Sequence, residues 1–140
     1  MPNTVEQFDR VTAKCRTIFV DKMQDYGPSW RIFRLHGITD QLYIKACNIR
    51  QRQETGVSLV GDDIEGNLRA IVNYGITAII QSRMGYADAV DMSNEEAAKQ
   101  YDAVLNEAKE LMVRKNHDYG EAWREMSKKG IVNMIIAKII

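Results

Sequence analysis

The chain has 140 residues, of which 45% are hydrophobic and 27% are charged, a composition typical of one globular domain with a real core. Nineteen basic and nineteen acidic side chains cancel, so the net charge gives no strong signal for nucleic acid or for an anionic membrane. No apolar run approaches the roughly 20 residues that span a bilayer, and the first residues lack a signal-peptide pattern. We therefore expect a cytoplasmic protein without membrane contact, in which residues 1–140 form a single domain.

The hydrophobic periodicity is helical in nearly every segment of the chain. A first helix is predicted from about Val5 to Gln24, and Gly27 followed by Pro28 should end it. A second helix is predicted to begin with Thr39 as its N-cap and to end at Gly56. Both helices carry an apolar stripe at intervals of three or four residues, as packing on a core requires.

Three further helices are predicted in the rest of the chain. One runs from about Ile64 to Gly85, and Ser93 with Glu96 forms a capping box that starts the next. The final apolar segment, residues 131–140, resembles the second helix. The only candidate strand, residues 56–60, is too short to build a sheet, so the chain is predicted to be all-α.

Several kinds of chemistry find no support in the sequence. Cys15 and Cys47 lie inside helical apolar patterns, which indicates buried free thiols. His36 and His117 share no metal-binding spacing with the cysteines or with each other. The absence of a phosphate-binding P-loop, a dinucleotide-binding fingerprint and a serine-hydrolase elbow argues against those three enzyme classes.

The phrase K-x-x-D-Y-G-x-x-W-R occurs twice, at residues 22–31 and 115–124, with an offset of 93 residues. At that offset ten of 26 aligned positions are identical, and they include both tryptophans of the chain. We predict a tandem duplication of a helix–loop–helix unit, with one repeat over about residues 5–85 and a partial one over about 94–140. Nothing in the second repeat corresponds to residues 48–85, so we expect it to be truncated. Its apolar end should be exposed or covered by a partner chain.

Each residue type in the repeated phrase has a structural and a functional interpretation. The glycines are typical helix C-caps, whereas the tryptophans either plug the core or offer a stacking surface for a base. The tyrosines either pack or contact a ligand. The lysine and the aspartate either form a helical ion pair or, with the arginine, bind an anion and its metal. The candidate substrate-binding residues are Lys22, Tyr26, Trp30, Arg31, Lys115, Tyr119, Trp123 and Arg124, and the candidate catalytic residues are Asp25 and Asp118.

The two phrases and the intervening segment IVNYGITAIIQ resemble the bacterial nucleotide-modification-associated domain family, the first of the domains given that name. That family is in turn similar to the all-α nucleoside triphosphate pyrophosphatases, the MazG-like and phage dCTP-pyrophosphatase group. The resemblance implies a bundle of antiparallel helices in which the duplication creates a pseudo-two-fold arrangement. It also implies a homodimer and carboxylates that hold Mg²⁺ at the phosphates of a nucleotide.

The acidic turn before the third helix is the best source of such carboxylates. Asp62, Asp63 and Glu65 are candidate Mg²⁺ ligands because they offer hard oxygen atoms, although a charged, solvated first helical turn is the simpler interpretation. The E-E-x-x-E motif of MazG-like enzymes is absent from the first helix.

Three hypotheses for the function follow. The first is Mg²⁺-assisted hydrolysis of a deoxynucleoside triphosphate with release of pyrophosphate, in which the lysines and arginines neutralise phosphates. The second is a non-catalytic module that binds a nucleotide, a modified nucleotide or a partner protein. The third is a purely structural helical dimer in which both phrases only pack.

Overall fold

The computed structural model describes residues 3–56 and 63–139, and within these two ranges every regular element is helical. The all-α prediction is therefore confirmed for the described residues. The predicted strand, apart from Gly56, lies outside them, as does the candidate metal ligand Asp62. None of the described helices is long and apolar enough to cross a membrane. The α-helices are α1 (Thr4–Tyr26), α2 (Leu35–Thr55), α3 (Ile64–Met84), α4 (Asn94–Tyr119) and α5 (Lys128–Ile139), and short 3₁₀ helices cover Ser29–Ile32 and Ala122–Glu125.

Most helix ends lie where the sequence predicts them. Gly27, Gly56 and Gly85 follow α1, α2 and α3, each with a positive φ that an L side chain rarely adopts. The hydroxyl of Ser93 accepts a hydrogen bond from the Glu96 amide at 3.1 Å and so caps α4 as predicted.

The predicted start of α2 is wrong by five residues. The helix begins at Leu35, and Arg34 occupies the N-cap position without a side-chain cap. Thr39 lies inside the first turns, where its hydroxyl donates to the Leu35 carbonyl at 2.9 Å. Threonine satisfies its hydroxyl in this way within helices as well as at their N-caps, so its presence alone does not locate a helix start.

The larger core lies between α1, α3 and α4. The rings of Phe19 and Tyr101 stack with centroids 4.4 Å apart, and Trp30 approaches Phe19 at 5.9 Å. Burial of each large side chain of this kind contributes about 1.5–3 kcal/mol. The core residues are Phe19, Met23, Trp30, Ile76, Ile80, Ala97, Tyr101 and Val104.

A second, smaller core joins α2 to α5. Ala46 and Ile49 of α2 are buried against Val132 and Ile136 of α5. The expectation that the apolar end is either exposed or covered by a partner is therefore wrong for these two side chains, because α2 covers them.

Polar contacts join α3 to α1 and α4, and α1 to α4. The Asn73 amide donates to the Cys15 carbonyl of α1 at 3.0 Å and accepts from the Tyr101 hydroxyl of α4 at 2.7 Å. Arg16 joins α1 to α4 through a two-pronged ion pair with Asp102, at 2.7 and 3.0 Å. Cys15 is fully buried, and this burial raises the pKa of its thiol.

The order of elements repeats with the offset of the sequence identities. A helix ends at Tyr26 and at Tyr119, a 3₁₀ helix starts at Ser29 and at Ala122, and the next helix starts three residues after that 3₁₀ helix ends, at Leu35 and at Lys128. The origin of this order by duplication, and the pseudo-two-fold arrangement, stay predictions.

Candidate functional site

The first phrase, residues 22–31, is held by a network around Arg31. The Arg31 side chain is 3% exposed, and its guanidinium donates to both carboxylate oxygens of Asp91, at 2.9 and 3.2 Å. The same group donates to the Gly85 carbonyl at 2.8 Å and to the side-chain oxygen of Gln81. The hydrogen bond from Arg31 lowers the pKa of the Asp91 carboxyl.

Gln81 completes this network from the other side. Its amide nitrogen donates to the carbonyls of Trp30, Arg31 and Phe33, at 3.2, 2.9 and 2.9 Å. The end of α3 therefore fixes three carbonyls of the loop and, with them, the backbone that carries Trp30. The predicted role of Arg31 in binding phosphate stays a prediction, and in the structure its contacts hold the loop.

Beside this loop lies the α1–α3 cavity, a space of about 210 Å³ between α1, the first 3₁₀ helix and α3. Aromatic residues Phe19, Trp30 and Phe33 contribute to one wall. The polar residues of α3 form the opposite wall. These are Arg69, Asn73, Tyr74 and Thr77.

The charge of the cavity is positive. Lys22 of α1 and Arg69 of α3 line it from opposite sides, and no aspartate or glutamate belongs to the described lining. Lys22 is exposed and forms no hydrogen bond or ion pair with any described residue, whereas Arg69 pairs with Glu65 one helical turn earlier. A cavity lined by a lysine and an arginine, with no carboxylate in its described lining, favours an anionic ligand.

Trp30 lines this cavity, and its ring carries a hydrogen-bond donor that is buried within the protein. The residue is 7% exposed, and its indole Nε1 is buried without a hydrogen-bond partner among the described residues. Leaving such a donor buried and unpaired costs about 1–3 kcal/mol.

The second phrase, residues 115–124, lies in a more open environment. Trp123 is 43% exposed, and its Nε1 donates to the Asn116 side chain at 3.1 Å. Arg124 lies over the Trp123 ring, 4.5 Å from its centroid, and donates to Thr4 and Gln7 of α1 at 2.8 and 2.7 Å. The contacts of this phrase are thus with the first turn of α1 rather than with α3.

A wider, mostly apolar space, the α1–α4 groove, adjoins the second phrase. It measures about 970 Å³ and is lined by Lys115, Trp123 and Arg124 from the phrase and by Arg10 from α1. Five lining residues of the α1–α3 cavity have their 93-residue counterparts in this groove. The pairs are Ile18 and Leu111, Phe19 and Met112, Lys22 and Lys115, Met23 and Asn116, and Trp30 and Trp123.

Besides Arg31, four candidate residues of the phrases line neither space. Tyr26 and Tyr119 are the last residues of their helices and are 82% and 71% exposed. Asp25 is exposed and forms no hydrogen bond or ion pair with a described residue, so the helical ion pair with Lys22 is not present. Asp118 lies 3.3 Å from the Nδ1 atom of His117. The catalytic role of the two aspartates stays a prediction.

The candidate Mg²⁺ ligands that the structure describes have other contacts. The Asp63 carboxylate accepts from the Gly66 amide and caps α3, and Glu65 pairs with Arg69. Across residues 3–56 and 63–139, no three histidine, cysteine, aspartate or glutamate side chains are grouped as a metal site. Since Mg²⁺ prefers carboxylate oxygens, the lining of the cavity does not fit this ion, and Mg²⁺ binding stays a prediction.

Most residues that line the α1–α3 cavity lie in a segment that matches a known family model. Residues 22–82 match the family model described as nucleotide modification associated domain 1. This match covers less than half of the chain and runs from Lys22 to the last turn of α3, which contain most of the cavity lining. No curated protein and no solved structure matches the chain. The distant similarity to MazG-like enzymes stays a prediction.

The α3 wall of the cavity was missed by the sequence analysis. Arg69, Asn73 and Thr77 follow one another at intervals of four residues, so they lie on one face of the helix. A polar face within an otherwise apolar helix indicates side chains that line a polar space rather than the core. The apolar residues of the helix do not reveal this face, and its polar residues do.

Proposed function

We propose that this chain binds a nucleotide in the α1–α3 cavity. The observation that carries the proposal is the placement of Lys22 and Arg69 on opposite sides of a cavity with aromatic lining, inside the segment that matches the nucleotide-modification-associated family model. In this proposal the two cationic side chains bind phosphate oxygens, and Phe19, Trp30 and Phe33 contact the base.

Lys22 and Arg69 differ in exposure and in their present partners, so they should contribute to phosphate binding in different ways. Lys22 is exposed and unpaired among the described residues, so it needs to break no contact in order to bind a phosphate. Arg69 is partly buried, and its partner Glu65 is mostly exposed. A phosphate would replace or share that carboxylate at little cost, because exposed ion pairs contribute only about 0–1 kcal/mol.

The size of the cavity supports partial enclosure of the ligand. Its volume of about 210 Å³ is below the range of about 300–1,000 Å³ that encloses most of a drug-sized ligand. We therefore place the base inside the cavity and the phosphates at its mouth, near the exposed Lys22.

Hydrolysis of a deoxynucleoside triphosphate is the second candidate function. The observation that favours it is Asp25, an exposed carboxylate without a partner among the described residues, which lies one helical turn from Lys22. An aspartate in that position is available to accept a proton or to hold a cation at the phosphates. Because the cavity lining itself offers no carboxylate, binding without turnover is the function that the geometry supports best.

Isothermal titration with the common ribo- and deoxyribonucleotides tests the proposal. Lys22→Gln and Arg69→Gln should each weaken binding about ten- to a hundredfold, because a hydrogen bond to a charged group contributes about 1.5–3 kcal/mol. Lys115→Gln is the matched control, since it changes the equivalent lysine in the α1–α4 groove. Binding of no nucleotide by the natural chain, or equal losses in all three variants, would contradict the proposal.

The same samples separate binding from catalysis. Release of pyrophosphate with added Mg²⁺, abolished by Asp25→Asn, would establish hydrolysis instead of binding alone. Sedimentation of the free and nucleotide-bound chain checks the homodimer, which stays a prediction.

A further inference from the structure

We infer that the α1–α4 groove is a docking site for an acidic amphipathic helix of another protein. Only one of its described lining residues, Val72, lies within the segment that matches the family model, residues 22–82. The groove also shares no described lining residue with the α1–α3 cavity. It is therefore a surface separate from the proposed nucleotide site.

The floor of the groove is apolar and open to solvent. Val11 of α1 is 54% exposed and Leu111 of α4 is 49% exposed, although both belong to the apolar stripes of helices that build the larger core. Trp123 adds a large ring that is 43% exposed. A concave apolar surface bordered by polar residues is typical of a protein-interaction site.

The first copy of the phrase shows what covers the corresponding face. There Phe19, Met23 and Trp30 are buried in one cluster with Ile76 and Ile80 of α3. The residues 93 positions later in the chain line the open groove instead. Within this molecule, then, an α-helix is the element that packs on a face of this kind, and a helix laid in an apolar groove is a common mode of recognition.

The rim of the groove is cationic. Arg10 of α1 and Lys115 of α4 are exposed, and their side chains form no hydrogen bond or ion pair with a described residue. Lys14, equally exposed and unpaired among the described residues, lines an adjoining space that shares Arg10 with the groove. No aspartate or glutamate belongs to the described lining of the groove, and Glu65 of the adjoining space pairs with Arg69. These unpaired cations favour a helix that carries carboxylates beside its apolar face.

Two other occupants fit the groove less well. Two molecules of this chain that met groove to groove in a symmetric dimer would place the cations of one against those of the other, which is unfavourable. A bilayer surface is flat on this scale, whereas a helix about 10–12 Å wide fits between two others. The groove follows residues 4–12 of α1 and 108–116 of α4, so the docked helix contacts it over about two turns.

A set of three designed peptides tests the inference. The first is a helix of about five turns, cross-linked to stay helical, with leucines at intervals of three and four residues and glutamates beside them. The second has lysine in place of each glutamate, and the third has the composition of the first in scrambled order. In fluorescence anisotropy, the natural chain should bind the glutamate peptide about tenfold more tightly than either of the others. The preference over the lysine peptide should shrink as the salt concentration rises.

Charge reversal in the groove provides the sharpest comparison. Arg10→Glu combined with Lys115→Glu should weaken binding of the glutamate peptide about tenfold and strengthen binding of the lysine peptide. Lys22→Glu makes the same change at the counterpart of Lys115 in the α1–α3 cavity and should leave both affinities unchanged. Leu111→Asn should weaken the glutamate peptide about five- to tenfold, because it removes apolar contact area from the floor. Circular dichroism melts of each variant show that it is folded at the temperature of the titration.

Several results would overturn the inference. These are no binding of the glutamate peptide, equal affinity for the glutamate and lysine peptides, or an unchanged preference in the doubly reversed variant. Sedimentation of the natural chain as a dimer that Leu111→Asn dissociates would identify a second molecule of this chain as the occupant instead. Binding to vesicles of phosphatidylserine and phosphatidylcholine, without binding to the glutamate peptide, would identify a membrane surface. Each of these results is independent of whether the chain binds a nucleotide.

Discussion

The two copies of the phrase share six of their ten residues and have very different surroundings. In the first copy the loop is covered by the end of α3 and the segment that follows it, through Gln81, Gly85 and Asp91. In the second copy the corresponding loop bonds instead to the first turn of α1, through Thr4 and Gln7. Arg31 is consequently 3% exposed, whereas Arg124 is 27% exposed.

This difference shows that the role of a repeated residue is decided by what packs on it. The same tryptophan is a core residue with a free donor in one copy and a half-exposed residue with a satisfied donor in the other. The same lysine faces a cationic cavity in one copy and a mostly apolar groove in the other. Four predictions test how far the two copies differ, and matched substitutions provide the comparison.

The tryptophans should show the largest difference in stability. Trp30→Ala should lower the free energy of unfolding by about 3–5 kcal/mol, because it opens a cavity beside Phe19 in the larger core. Trp123→Ala should cost about 1 kcal/mol, since nearly half of that side chain is already in solvent. Urea denaturation followed by circular dichroism measures both, and equal losses would show that the two sites are equivalent.

The arginines should differ by a smaller amount. Arg31→Ala leaves the Gln81 side chain and the Gly85 carbonyl without their donor, so we expect a loss of about 3 kcal/mol. Arg124→Ala should cost about 1 kcal/mol or less, because its ion pair with Glu121 is partly exposed. The same denaturation assay applies, and a larger loss for Arg124 than for Arg31 would refute the assignment of Arg31 to the loop network.

The glycines that end α1 and α4 should be sensitive to different replacements. Gly27 has φ 67° and ψ −164°, a region that is essentially restricted to glycine, whereas Gly120 has φ 58° and ψ 35°, which asparagine tolerates. Gly27→Asn should cost about 2 kcal/mol, and Gly120→Asn should cost well under 1 kcal/mol. Differential scanning calorimetry measures the shifts, and equal shifts would contradict the described backbone angles.

The smallest expected effect concerns the loss of folding stability in acid, to which Asp91 contributes. Because Arg31 lowers the pKa of Asp91 below its ordinary value of 3.8, the folded state gains stability when this carboxyl is ionised. That gain is present above the unfolded pKa and is lost as the pH falls through the lower folded pKa. Asp91→Asn should therefore flatten the decline of stability below pH 3.8, as measured by urea midpoints between pH 5 and pH 2. If stability declines with falling pH just as steeply in Asp91→Asn, the ion pair between Arg31 and Asp91 contributes nothing to this decline.

Local chemistry allowed much of the fold to be predicted. The all-helical class follows from hydrophobic periodicity, and Gly27, Gly85 and Ser93 mark helix ends because backbone angle and capping depend on neighbouring residues. The start of α2 escaped prediction because Thr39 satisfies its hydroxyl inside the helix.

The candidate site was less predictable for a different reason. Lys22 and Trp30 were identified from the repeated phrase, and both line the α1–α3 cavity. Arg31 finds its partners 50 and 60 residues away, in Gln81 and Asp91, and no local pattern indicates such contacts. The two copies look equivalent in sequence, because the repeated residues do not indicate which copy another helix will cover.

Chemical modification of Cys15 can report the separation of α1 from α3. Its thiol is fully buried where α1 meets α3, and burial raises its pKa, so an alkylating reagent reaches the reactive thiolate only when these helices separate. Cys47 of α2 is partly accessible and serves as an internal standard in the same chain. The alkylation rate of Cys15 relative to Cys47 therefore measures the free energy of separating the two walls of the cavity, under native conditions and without denaturant.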